Sequence, residues 1–359
     1  MSINGIYGNI GCSECANVHR CGKNIDLMVK GETKVHYNWV DWGKAIGIWL
    51  VILGHGNLVD AEYRQLIYSF HMPLFFVLSG YLFKELPAKE RIKKDFHALI
   101  VPYLCINGVC FLLWFVGGYL MKPEYHWSMG PLVQRLGAIL LGIGYHTDFW
   151  VAVCTPSWFL IALFIVRYIT NATLPSYHIV LCISALCTGY LFACFEVHFY
   201  FTLNSVVMAL PFFVAGIWIK KRLLPIPWLW AVVCLGILLL VNHYNGRVDM
   251  ATFNYGRNMF LYYAGGVTGT FFIFAIAQLL NCYSNKLIRV ISEGTILIIG
   301  FNLLAIEMVS KLLGIFGFSS EENGVVGVAI SVIILLLFYP GILLSGKYFP
   351  CLIGKQNRF

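Results

Sequence analysis

"DWGKAIGIWLVILGHGNL", residues 41–58, decides the fold. The run is apolar enough to lie in a bilayer, yet it carries Lys44 near one end and His55 eleven residues later. At about 100° per residue, that step completes three helical turns with about 20° left over, so both side chains share one face, about 16.5 Å apart along the axis. Asp41 joins the same stripe. Ionisable groups inside a span are costly and turn toward protein or a wet cavity, which makes them functional candidates. Lys44 also has a simpler reading, because a lysine at a helix end can snorkel to the headgroups.

The rest of the chain agrees with a membrane solvent. Of 359 residues, 59% are hydrophobic and 12% charged, about half the charged fraction of soluble domains. Apolar stretches recur near 44–59, 66–84, 97–121, 157–170, 178–196, 203–221, 226–242, 259–281, 295–314 and 324–344. About 20 residues cross the hydrocarbon core as a helix, and nothing alternates like a barrel strand. The expected fold is therefore an all-α polytopic bundle of about ten transmembrane helices. Residues 37–346 form the membrane domain, between a cytosolic tail at 1–36 and another at 347–359. Within 122–156, "PLVQRLGAILLGIGYH" suits an interfacial or re-entrant helix.

Basic residues orient the bundle, since Lys and Arg collect in cytoplasmic segments. With the N-terminus inside, 18 of the 25 fall on the cytoplasmic side and six outside (Arg64, Lys122, Arg135, Arg247, Arg257 and Lys311), with Lys44 at the boundary. Both termini are expected to be cytoplasmic. The net charge of +8 is then an orientation signal and gives no reason to invoke nucleic acid. Most cysteines are scattered singly through apolar spans, where they pack as small hydrophobes. Cys12, Cys15, His19 and Cys21 lie close together, but their spacing matches no zinc motif, so a reduced cytosolic tail is the expectation and no metal site is assigned.

A second motif, "YSFHMPLFFVLSGYLF" at 68–83, places His71 near the outer end of the next helix, with Pro73 kinking that helix or marking its first turn. His55 and His71 can therefore meet across a short loop. Ser79 and Gly80 suit close helix packing. The basic segment that follows, "KELPAKERIKKDF" at 84–96, is either the orientation signal itself or a cytosolic phosphate-binding rim.

Together, "VDWGKAIGIWLVILGHGNL", "YSFHMPLFFVLSGYLF", "ERIKKDFHALIVPYL" and "TPSWFLIALF" resemble the acyltransferase 3 family of integral-membrane acyltransferases, the O-acetyltransferases that include fucose 4-O-acetylase-like proteins. The resemblance runs over about 38–345. It implies transfer of an acyl group, usually acetyl from acetyl-CoA, to hydroxyls of surface glycans or their precursors, from the bacterial inner membrane. The family's basic residue, ten intervening residues and histidine map onto Lys44 and His55. Its paired arginines map onto Arg91 and Lys94, where lysine keeps the charge but loses the bidentate fork. In "SEGTILIIGFNLLAIEM", Asn302 stands where many members carry a histidine, and asparagine cannot titrate. Glu307 on the same helix is the substitute candidate, or else a snorkelling or paired carboxylate.

The implied site assigns His55 as general base, with His71 or Asp41 orienting it, and assigns the phosphates of acyl-CoA to Lys44, Arg91 and Lys94. Trp158, Arg257, Asn302 and Glu307 are the candidates for holding a glycan acceptor, against anchoring for Trp158 and loop solvation for Arg257 and Asn258. Acyl-CoA is a substrate, so no permanent cofactor is expected. Direct transfer and an acyl-histidine intermediate both fit. A glycan exporter or flippase, or a membrane sensor, would also need polar groups inside such a bundle.

Overall fold

The computed structural model describes residues 37–121, 128–222, 225–315, 317 and 324–355. The tail cysteines Cys12, Cys15 and Cys21, with His19, lie outside the described residues. Those residues form helices: α1 (Asn38–Gly54), α2 (Ala61–Tyr68), α3 (His71–Tyr81), α4 (Ala88–Asp95), α5 (Val101–Trp114), α6 (Gly130–Leu140), α7 (Trp158–Ala172), α8 (His178–Cys194), α9 (Leu203–Arg222), α10 (Trp228–Asn245), α11 (Met259–Leu279), α12 (Lys286–Glu293), α13 (Thr295–Gly314) and α14 (Gly324–Tyr348). π-Helical turns at Phe96–Ile100 and Phe115–Tyr119 extend α4 and α5 into one rod. Among the described residues no strand forms, only a single bridge between Asp249 and Asn254.

Among the described residues seven helices are long and apolar enough to cross a membrane: the rod over 88–119, and those containing α8, α9, α10, α11, α13 and α14. The three other apolar stretches give shorter elements, the 17-residue α1, the 11-residue α3 and the 15-residue α7. These lie at the centre. α1 packs against α3, α11, α12, α13 and α14, and every residue of α3 except Ser79 is buried. The outer helices behave oppositely: α8 and α10 present Ile179, Val180, Ile183, Leu229, Val232 and Leu240 outward. Continuous exposed apolar surface on that scale suits acyl chains rather than water.

The expected stretch 66–84 is two helices. After α2, Ser69 and Phe70 turn the chain and α3 starts at His71, with Pro73 in its first turn, where a missing amide donor costs nothing. α3 and α9 then pack closely. A methyl group on Gly80 would strike the Phe213 carbonyl, and one on Gly216 the Val77 carbonyl. Reciprocal glycines of this kind let two backbones touch, bearing out the packing role expected of Gly80.

Candidate functional site

His55 does not lie within α1 but caps it. Its backbone is extended (φ −105°, ψ 161°), and its amide donates to the Ile52 carbonyl at 3.2 Å. Gly56 (φ +66°) and Asn57 (φ +56°) then reverse the chain in left-handed conformations that glycine and asparagine adopt at least cost. The helix from Lys44 to Gly54 is unbroken, so the axial separation expected from the sequence holds. The histidine itself gains the freedom of a helix end.

A hydrogen bond to the preceding turn sets its tautomer. His55 Nδ1 lies 2.5 Å from the Val51 carbonyl oxygen, and His71 Nδ1 lies 2.8 Å from the Ile67 carbonyl oxygen. A carbonyl only accepts, so Nδ1 donates in both rings, and in a neutral imidazole Nε2 is left as the acceptor. The rings meet edge to face with centroids 6.4 Å apart, and Tyr68 stands 5.7 Å from His55 and 5.0 Å from His71. Asp41 does not orient His55: it lies at the opposite end of α1, where its Oδ1 accepts from Ser292 Oγ at 2.6 Å.

His55 lines two cavities. The first, about 250 Å³, has His71, Tyr68, Trp158, His146 and Asp249 in its wall. The second, about 280 Å³, is bounded by Tyr68, Arg64, Gln65 and Arg247. Trp158 opens α7 and is buried, packed against Phe76, so it forms cavity wall. Asp249 comes from the loop between α10 and α11, which several bonds hold in place. Its amide and carbonyl pair with Asn254 at 2.9 and 2.8 Å, Ser205 Oγ donates to the Met250 carbonyl at 2.8 Å, and Asn245 Nδ2 donates to the Tyr255 carbonyl at 2.8 Å. Burial pushes the Asp249 carboxyl above its usual value, against the pull of the Ala251 and Thr252 amides, Arg247 and His55. A carboxylate there favours positive charge on His55.

The other candidates lie apart from this cluster. Arg257 is exposed, and Asn258 caps α11 by accepting from the Phe260 amide at 2.7 Å. Asn302 is fully buried one turn beyond Ile299, a residue of the first cavity's wall. Its Nδ2 donates to the Ile299 carbonyl at 3.3 Å, and its Oδ1 has no partner among the described residues. Glu307 pairs with Lys311 at 2.5 Å and lines a different cavity with Trp114 and Cys154.

At the far end of α1, Lys44 is half-buried, and Asp41, Glu293 and Arg167 act on it electrostatically. Burial opposes the charge on Glu293, but Lys355 at 2.6 Å and Arg289 at 3.2 Å hold its carboxyl below the usual range. Arg91 lies beneath the surface. It reaches Asp95 at 3.3 Å, the Lys84 carbonyl and Asn171, and covers the Phe83 ring at 4.6 Å, while Arg167 reaches the same Asp95 at 3.2 Å. Lys94 also belongs to α4 and is exposed to solvent.

Four contributors escaped the sequence reading. Tyr68 begins the quoted histidine motif, three residues before His71, and carries no assignment in the sequence. Arg64 and Arg247 count in the sequence only as outer-side charges and Asp249 carries no assignment there, and nothing local to them signals that α2 and the loop between α10 and α11 bring them to His55.

A family model described as an acyltransferase domain matches residues 37–344. No curated protein and no solved structure gives a significant match.

Proposed function

Since the chain belongs to the acyltransferase 3 family and is a membrane acyltransferase, we propose that it carries acetyl from cytosolic acetyl-CoA to a hydroxyl of a cell-surface glycan or its precursor, with His55 as general base. The observation that carries this reading is the placement of His55: Nδ1 is committed to Val51, and the ring borders both cavities. Nε2 takes the proton of the acceptor hydroxyl as its oxygen attacks the thioester carbonyl. The carbon–sulfur bond then breaks, and the thiolate leaves with CoA. Positioned base catalysis of this kind is worth about a hundred- to ten-thousandfold. Asp249 stabilises the imidazolium that forms, and Trp158 supplies a flat apolar wall against which a sugar ring or a pantetheine arm can lie.

The donor is placed at the Lys44 end. Ten spans with both termini cytoplasmic, in the bacterial inner membrane, put that end in the cytosol and the His55 end outside, consistent with 18 basic residues on the inner side. Lys44 and Lys94 provide cations for the CoA phosphates. Arg91, bound to Asp95, holds α4 in position beside them. The buried Asn302 Oδ1 supports a hydrogen bond to a substrate hydroxyl beneath the cavity.

The test is acetyl transfer from acetyl-CoA by the full chain in proteoliposomes. His55→Ala should lose about two to four orders of magnitude at matched protein level. Near wild-type acetylation by that variant would overturn the assignment.

A further inference from the structure

The two cavities that share His55 and Tyr68 differ in charge. The first carries the Asp249 carboxylate and two further imidazoles, His71 and His146. The wall of the second contains two arginines, Arg64 and Arg247, the amide of Gln65 and no carboxylate. Asp60 and Glu62 are near in sequence but do not line it. Arg64 is pre-positioned by the Asn57 side chain, which accepts from its Nη1 and is itself fixed by the left-handed turn after His55. Gln65 is held in turn by the Asn242 carbonyl at 3.1 Å.

Arg247 also acts on Asp249 and Arg64 on the Asn57 side chain, and both arginines line this wall. On the orientation proposed above they lie on the outer face, where basic residues are scarce and topology does not call for them. Guanidinium groups recognise carboxylate and phosphate by paired hydrogen bonds. At about 280 Å³ the cavity lies near the lower end of small-molecule sites, with room for one residue of a glycan.

We propose that this second cavity is an acceptor subsite for an anionic group, a carboxylate or a phosphate carried by the sugar, which Arg64 and Arg247 hold so that a neighbouring hydroxyl meets His55. The subsite selects acidic acceptors over neutral ones, and it rests on the reading of His55 as the base.

The test uses the full chain in phosphatidylcholine nanodiscs with acetyl-CoA and three acceptors: p-nitrophenyl β-glucuronide, glucose 1-phosphate and p-nitrophenyl β-glucoside. His55-dependent hydrolysis of acetyl-CoA is followed in parallel. Wild type is expected to prefer at least one anionic acceptor over the neutral glucoside. Whether the glucuronide or the phosphate leads identifies the charged group. Arg64→Gln and Arg247→Gln should each lower kcat/KM for that acceptor by roughly one to two decades through KM, while transfer to the glucoside and the hydrolysis change much less, because the loss is one of anion binding. Arg64→Lys should recover part of the loss. Equal use of neutral and anionic acceptors, equal losses on both in the variants, or transfer to none of the three with hydrolysis intact would overturn the subsite and leave the base assignment standing. Absence of both transfer and His55-dependent hydrolysis would overturn the base assignment, and the subsite with it.

Discussion

The rings of His55 and His71 meet edge to face at 6.4 Å, each anchored through Nδ1 to the carbonyl four residues before it. One anchor closes the end of α1, and the other bridges the turn from α2 into α3. The same local bond therefore fixes two imidazoles from different helices, both with Nε2 as the acceptor. His55 borders both cavities and His71 only the first, so the two should not be equivalent.

His71→Asn should accordingly reduce acetyl transfer by about tenfold through lost positioning, well short of the two to four decades expected for the base itself. Single-turnover rates of His55→Asn and His71→Asn, compared at equal protein level, check this. Equal losses would make His71 a partner in the proton transfer.

Lys44 allows a test of the vertical arrangement. Lys44→Arg should keep more activity than Lys44→Gln, because a donor phosphate needs the charge more than the ammonium shape. Moving the lysine to half-buried Ile46, as Lys44→Gln with Ile46→Lys, rotates it by about 200° and should not restore transfer. A lysine that only snorkels would tolerate the move, so full activity in that double variant would reduce Lys44 to an anchor.

Asp95 is shared by Arg91 and Arg167, and the Arg91 and Asp95 side chains are each 2% exposed. Removing one partner of a buried pair leaves an uncompensated charge, a loss of about 3–5 kcal/mol. Asp95→Ala strands two guanidinium groups, so it should lower thermal stability in detergent more than Arg91→Ala does. A stable Arg91→Ala with only a raised KM for acetyl-CoA would instead place that guanidinium against the donor.

Asp249 provides a pH test with a defined sign. Burial raises its folded pKa above the ordinary value of 3.8, so the unfolded chain gives up this proton first. The protonated group therefore costs nothing at low pH, and the penalty grows as pH rises from the unfolded pKa through the folded one. Asp249→Asn should melt higher than wild type at pH 7, and the difference should vanish at about pH 3.5 and below. Acetyl transfer by the variant should fall even as stability rises, as expected where a site is strained for function. A lower melting temperature at pH 7 would mean that the carboxylate holds the loop together.

The apolar run at 41–58 and its repeats along the chain determined by themselves that the chain is helical and belongs in a bilayer, because span length and backbone satisfaction follow from local composition. The same local logic made Lys44, His55 and His71 legible, since an ionisable side chain in a greasy helix stands out against its neighbours. Only the tertiary structure decided that His55 ends its helix, that Asp41 binds Ser292 and does not reach His55, and that Arg91 is spent on Asp95. It also decided that Asp249, Arg64 and Arg247 close over the histidine. Those relationships join residues as many as 251 positions apart, and a charge outside the spans looks the same in sequence whether it faces water or a cavity. The fold is set by periodicity that each helix carries within itself, whereas the site is set by which helix ends the packed core brings together.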